Sequence, residues 1–252
     1  MTALSLLRHA LDLLTRNPLK TFRVIGPAVA LMLGVSVVAV LTTPELSLGN
    51  AGEDAPMSVP TNWLLLAGLT LSYAMMAILW HRHTLGGEGL AQRISIPLVL
   101  SYLLRVTQLI LIQLSLSLTL IIPLMISSQH NAGDGPAFHS MMLTTFVTQL
   151  LLVWLSLRLS LILPAAAIGK PITLAVSWRH TQPLTHLLWR IAALLAVINT
   201  ALTALAGFFS VSAAYHLMIF ELPVYIFEGL LIFSILTTLY KLHVQKQPIS
   251  NA

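Results

Sequence analysis

Long apolar runs alternate with short polar connections along the chain, and the runs are of similar length. Six of them, at about 24–41, 62–80, 103–125, 141–163, 187–210 and 222–240, approach the ~20 residues an apolar helix needs to cross a bilayer. The pattern predicts an all-α polytopic membrane helix bundle, with residues 1–252 forming a single integral membrane domain. Ahead of the first run, Leu4, Leu7, Leu11 and Leu14 recur at helical spacing, with Arg8, Asp12 and Arg16 on other faces. That spacing predicts an amphipathic surface helix within 1–20, ended by Asn17-Pro18. Gly26-Pro27 falls in the first turns of the first predicted span, where a proline disrupts least.

The stretch 155–181 stands apart. An apolar helix passes Arg158 and is expected to run on to Pro164 before stopping. After Gly169, Lys170-Pro171 is expected to restart a helix, because proline suits a first helical turn. This second piece places Ile172, Ala175 and Val176 on one side and ends in Trp178-Arg179-His180. An apolar span, a basic elbow and a short amphipathic segment describe a chain leaving a bilayer and lying on its surface. A similar elbow follows the second span, with His81-Arg82-His83, a Gly-rich turn and Arg93. The two span–elbow–span units read as a weak duplication, with Arg105 and Arg190 entering the next helix in each.

Charge fixes an orientation. The chain is 57% hydrophobic and only 8% charged, far below the charge content of soluble domains. All 13 Lys and Arg lie before the first span, at the two elbows and the helix turns beside them, or after the sixth span; none falls in the three opposite loops. By the positive-inside rule both termini are expected in the cytoplasm. The net charge of +5 is therefore topological, and no nucleic-acid partner is expected. Residues 1–17 carry Arg8, Asp12 and Arg16 and lack a long apolar core, so no cleavable signal is read there. With no cysteine, disulfides, thiolate metal sites and cysteine nucleophiles are excluded.

Trp80-His81-Arg82 with Leu85-Gly86-Gly87-Glu88, then Arg158 with Pro164 and the alanines after it, then Ser177-Trp178-Arg179-His180-Thr181, carry a resemblance. They resemble uncharacterised six-span proteins of the bacterial inner membrane, which share an Arg, Pro, Ser-Trp, Thr pattern with the membrane domain attached to some glycerophosphodiester phosphodiesterases. The likeness covers most of the chain in span layout and a few tens of residues in motif. It implies a bacterial envelope protein with a link to lipids. The catalytic phosphodiesterase domain of those fusions has no counterpart here, so its acidic metal ligands are not carried over.

Candidate chemistry is sparse. His81 and His83 are two apart, so on a helix they diverge and cannot share a metal; they read as interfacial residues beside the headgroups. His130, Asp134 and His139 share one loop region without a metal-ligand spacing signature, and no metal site is expected. Gly86-Gly87-Glu88-Gly89 lacks the lysine and strand context of a phosphate loop. No catalytic motif and no cofactor motif is present. Glu228 lies inside the sixth span, ~20 Å from Lys241 at 1.5 Å per residue, and ionisable groups at that depth are functional candidates. Gln113, Gln149 and Asn199 are expected to form a polar layer near the midplane. Asn199 sits on a face of small residues with Ala192, Ala196, Thr203, Ala206 and Ser210, and is expected against another helix. At the elbows, Glu88 is expected to pair one of Arg82, Arg158 and Arg179, leaving the others to hold an anionic lipid phosphate. The expected function is a non-enzymatic inner-membrane protein, lipid-associated, with membrane lipids and a further membrane protein as candidate partners. The alternative is a small permease or flippase-like transporter using Glu228 and the polar layer.

Overall fold

The computed structural model describes residues 2–42, 59–86, 94–130, 138–208 and 222–245. In order, the elements are α1 (Ala3–Thr15), α2 (Pro18–Thr42), α3 (Val59–Gly86), α4 (Ile96–His130), α5 (Phe138–Leu159), α6 (Ile162–Ala167), α7 (Leu174–Thr181), a 3-10 turn (Gln182–Leu184), α8 (Thr185–Phe208) and α9 (Leu222–His243). The architecture is an all-α bundle with no strand among the described residues. Five stretches are long and apolar enough to cross a membrane: Pro18–Ala39, Trp63–Gly86, Ile96–Leu120, Leu174–Ala201 and Leu222–His243. The fourth of these joins α7 to α8. In the fourth expected span, α5, the described apolar stretch Phe146–Leu159 is shorter.

That expected span, 141–163, is corrected. The helix ends at Leu159, Ser160 and Leu161 turn, and Ile162–Ala167 forms a separate short helix with all six residues buried. Pro164 explains the break. In a continuous helix its ring would meet the Ser160 carbonyl and its missing N–H would cost a bond, whereas as the third residue of α6 it costs neither. The restart at Pro171 is also corrected: α7 begins at Leu174, capped by the Thr173 hydroxyl, which accepts from the Val176 N–H at 3.3 Å. Pro27 is likewise not in a first turn, because α2 starts at Pro18 and places it in the helix interior.

The N-terminal helix is amphipathic as expected, but its buried line is Leu6, Ala10 and Leu14, while Leu4 is 71% exposed. Thr2 and Ser5 open it with a reciprocal capping box, Ser5 N–H to Thr2 Oγ1 at 3.1 Å and Thr2 N–H to Ser5 Oγ at 3.0 Å. The buried line docks on α9 and α8, so α1 is part of the bundle rather than a free surface helix.

Helices α2 and α3 pair along their lengths, as do α5 and α8, while α9, α6 and α1 fill the space between. The core is concentrated at one end. It holds residues 74–82 of α3, 229–240 of α9, 188–196 of α8 and the whole of α6. Large apolar side chains on α2, α4 and the first half of α3, such as Leu33, Leu64, Leu104, Leu111 and Leu118, remain exposed, as lipid-facing positions would be. Gly229 permits the closest approach of α9 to α3: a Cβ there would lie 2.7 Å from the Tyr73 hydroxyl and 2.9 Å from its Cε2. Gly34 has nothing within 4 Å. Gly34→Ala should gain up to ~1 kcal/mol of helix propensity. Gly229→Ala should lose ~1–3 kcal/mol through overpacking against Tyr73. Thermal unfolding of the two variants in detergent, which should shift in opposite directions, checks this.

Candidate functional site

A helix that ends in apolar surroundings leaves carbonyls that water cannot satisfy. At the break after α5, α7 supplies the donors. The Ser177 hydroxyl lies 2.8 Å from the Arg158 carbonyl and 3.0 Å from that of Leu159, and Thr181 Oγ1 lies 3.3 Å from the Arg158 carbonyl. Both side chains are fully buried. The buried face of α7 is thus polar and bonded to α5, where the sequence suggested an apolar face turned to the membrane; Ala175 is exposed.

The short helix α6 is closed with equal completeness. Gly169, at φ +77°, adopts the left-handed conformation that ends many helices. Its N–H donates to the Ala166 carbonyl at 3.0 Å and the Lys170 N–H donates to Ala165 at 2.9 Å, forming a Schellman motif. The Ala167 carbonyl takes Arg82 Nη1 at 2.8 Å. Arg82 comes from the end of α3 and is 5% exposed, so the two elbows meet through this bond.

Arg158 is also 5% exposed, but its environment is aromatic. Its guanidinium carbon sits 3.8 Å from the centroid of Trp178 and 5.2 Å from that of Trp154. Trp154 in turn stacks on Trp189 at 4.7 Å. Such contacts are worth ~0.5–2 kcal/mol each. Arg158 Nε makes no hydrogen bond among the described residues. The carboxylates among the described residues are Asp12 and Glu228, and neither pairs with Arg158.

The expected grouping of Arg82, Arg158 and Arg179 therefore resolves into three environments: Arg82 on a helix end, Arg158 between indoles, and Arg179 exposed in the last turn of α7. Glu88 lies outside the described residues, as does Asp134; the side chains of His130 and His139 are outside them too. Among the described residues no group of three His, Cys, Asp or Glu could hold a metal.

Behind the elbow runs a polar seam between α3 and α9 that the sequence did not reveal. Trp80 Nε1 donates to Ser234 Oγ at 3.0 Å, and His81 Nδ1 lies 2.8 Å from Thr237 Oγ1. Ser234 and Thr237 give their own protons back along α9, to the Leu230 and Phe233 carbonyls, each at 2.8 Å. Thr237 is then an acceptor for His81, which fixes the proton of a neutral imidazole on Nδ1. His81 is fully buried, with its ring edge-on to Phe233 at 5.5 Å, and Nε2 makes no hydrogen bond among the described residues. This corrects the interfacial placement: His81 follows Trp80 on the side of α3 that packs against α9. The signal for it was Ser234, Thr237 and Thr238 at helical spacing inside an otherwise apolar run.

Of the expected polar layer, Asn199 and Glu228 come together, with Asn199 Nδ2 donating to Glu228 Oε1 at 3.4 Å. Asn199 thus engages another helix, as its small-residue face suggested, with Ala192 and Ala196 fully buried beside it. Gln113 and Gln149 are half-buried, and neither makes a side-chain hydrogen bond among the described residues. No protein-family model, curated protein or solved structure matches this chain.

Removing the Ser177 hydroxyl takes its donor from the Leu159 carbonyl and leaves the Arg158 carbonyl only the longer contact from Thr181. Ser177→Ala should cost ~1–3 kcal/mol of stability. The tryptophan emission should also shift, because Trp178 sits on the same turn as the lost bond. Unfolding followed by intrinsic fluorescence measures both effects, and Thr185→Ala, at an exposed hydroxyl, should change neither.

Proposed function

We propose that this chain is a non-enzymatic, lipid-associated protein of a bacterial inner membrane, which holds the phosphate of an anionic phospholipid at Arg158. The observation that supports this reading is a buried guanidinium whose carbon lies 3.8 Å over the Trp178 ring centre, with no described carboxylate to neutralise it. A charge taken out of water without a counter-charge costs several kcal/mol, and an anion arriving from the membrane removes that cost. Trp154 and Trp178 stand nearly perpendicular to each other beside the guanidinium, at 81°. Arg158 Nε has no hydrogen bond among the described residues, so its N–H is left for a phosphate oxygen, and the guanidinium fork matches phosphate bidentately.

Two further features favour a lipid over a soluble anion. Trp154, Trp178 and Trp189 form an aromatic cluster of the kind that settles at headgroup level. Lys170 and Arg179 are exposed on the same elbow and add attraction to an anionic leaflet. In this reading six spans place both termini and both elbows in the cytoplasm, following the distribution of Lys and Arg.

Native mass spectrometry tests the site. Arg158→Lys keeps the charge and loses the fork, so retention of phosphatidylglycerol or cardiolipin should fall about tenfold, equivalent to ~1.4 kcal/mol. Arg179→Lys should lower it less. Undiminished retention in both variants would rule out the phosphate site. Topology is checked separately by reporter fusions: those after Glu53, Asp134 and Glu221 should report the outside, and those after Glu88, Lys170 and Ala252 the inside. One inverted loop overturns the six-span arrangement.

A further inference from the structure

Glu228 is the only described carboxylate within a membrane-spanning stretch, and it is half-buried. Its partner among the described residues is the Asn199 amide at 3.4 Å; no cationic side chain is paired with it. A carboxyl group at this depth is costly unless it meets a proton or a cation.

Its surroundings select among cations. Tyr225 precedes it by one helical turn on α9 and is 51% exposed, and Tyr73 of α3 faces Tyr225 with ring centroids 4.9 Å apart, inclined at 35°. Tyr225 and Glu228, three residues apart, share one face of α9. The bare α9 backbone at Gly229 lets Tyr73 lie against the helix directly beside Glu228. A Ca²⁺ or Mg²⁺ ion requires six or more oxygen ligands, and no group of three or more His, Cys, Asp or Glu is gathered among the described residues. One carboxylate flanked by two electron-rich rings is instead the chemistry that recognises an organic ammonium or phosphonium, by charge on one side and cation–π contact on the other. The neighbouring exposed Phe227 offers apolar contact to such a ligand's hydrocarbon groups.

We infer that Glu228, Asn199, Tyr225 and Tyr73 form a binding site for a lipophilic organic cation, entered from the exposed face of α9 and separate from Arg158. Glu228 supplies the counter-charge, Asn199 orients the carboxylate, and the two rings line the cation's path. The same chemistry fits two sources, a free hydrophobic cation and the amine of a phosphatidylethanolamine headgroup. Glu228 lies six residues, ~9 Å, from the Leu222 end of α9, within reach of either source, so the lipid arms of the test separate the two.

The test is equilibrium binding of tetraphenylphosphonium to the full chain in nanodiscs, scored as the difference between the parent and Glu228→Gln in the same lipid. The parent should bind saturably, and Glu228→Gln should weaken binding at least tenfold. Tyr225→Leu should weaken it several-fold, whereas Tyr225→Phe, which keeps the ring, should bind like the parent. That pair keeps the result interpretable if the glutamine variant folds poorly. Arg158→Lys should leave binding unchanged, so this site and the phosphate site fail independently. Equal Glu228-dependent binding in phosphatidylethanolamine and phosphatidylglycerol nanodiscs identifies a free cation as the ligand. A selective loss in phosphatidylethanolamine identifies the headgroup amine as the occupant. Absence of saturable binding by the parent, or equal binding by Glu228→Gln, overturns the site.

Discussion

The arrangement at the basic end of the bundle depends on one requirement: every backbone carbonyl released where α5 breaks must find a donor within an apolar interior. Pro164 imposes the break, and the protein meets the requirement with three kinds of donor. Ser177 and Thr181 hydroxyls close α5, the Gly169 and Lys170 amides close most of α6, and Arg82 takes the Ala167 carbonyl. Each unmade bond would cost more than a typical bond contributes, so these residues act as a set. The motif Arg158, Pro164, Ser177-Trp178, Thr181 acquires a structural meaning: a break, its caps, and the aromatic face on which the arginine rests.

The same economy governs the seam between α3 and α9. Ser234, Thr237 and Thr238 return their protons to α9 itself, which leaves lone pairs facing outward in a helix that otherwise presents hydrocarbon. Trp80 and His81 find acceptors there without any charged group entering the core. This end of the bundle is therefore held by directed contacts as well as packing. The other half leaves large apolar side chains on α2, α3 and α4 facing outward, where lipid makes no directional demand. Both candidate sites gather aromatic rings: Arg158 is buried beside indoles, and Glu228 is half-buried on the helix that carries Tyr225.

Much of the fold was legible in the sequence, because bilayer thickness translates directly into run length and Lys and Arg mark the ends of runs. The pairing of Asn199 with another helix was legible for a similar reason: a stripe of small residues admits a close neighbour. The break at Leu159 was harder to place, since residues 160–167 remain as apolar as a span and hydropathy cannot separate lipid-facing from protein-buried chain. His81 was misplaced because a histidine beside an arginine suggests water, and only its neighbour across the helix pair, Thr237, reveals the buried setting. The face of α1 was misread in part, with Leu4 taken as inward where Leu6 and Ala10 are buried, because leucines cover most of its circumference. Arg158 was expected in a group with Arg82 and Arg179, whereas its bed of indoles joins residues from α5, α7 and α8, which no local spacing encodes.

The docking of α1 has a consequence for biosynthesis. Leu6, Ala10 and Leu14 are made well before the surface they bury, which belongs largely to α9. At 5–20 residues per second, roughly 10–40 s separates the two. During that interval α1 must wait with its leucines uncovered, and its amphipathic pattern allows it to rest on the membrane surface meanwhile. Helix α9 thus completes the packing by collecting α1, which can take up its final position only after every helix between them has been made.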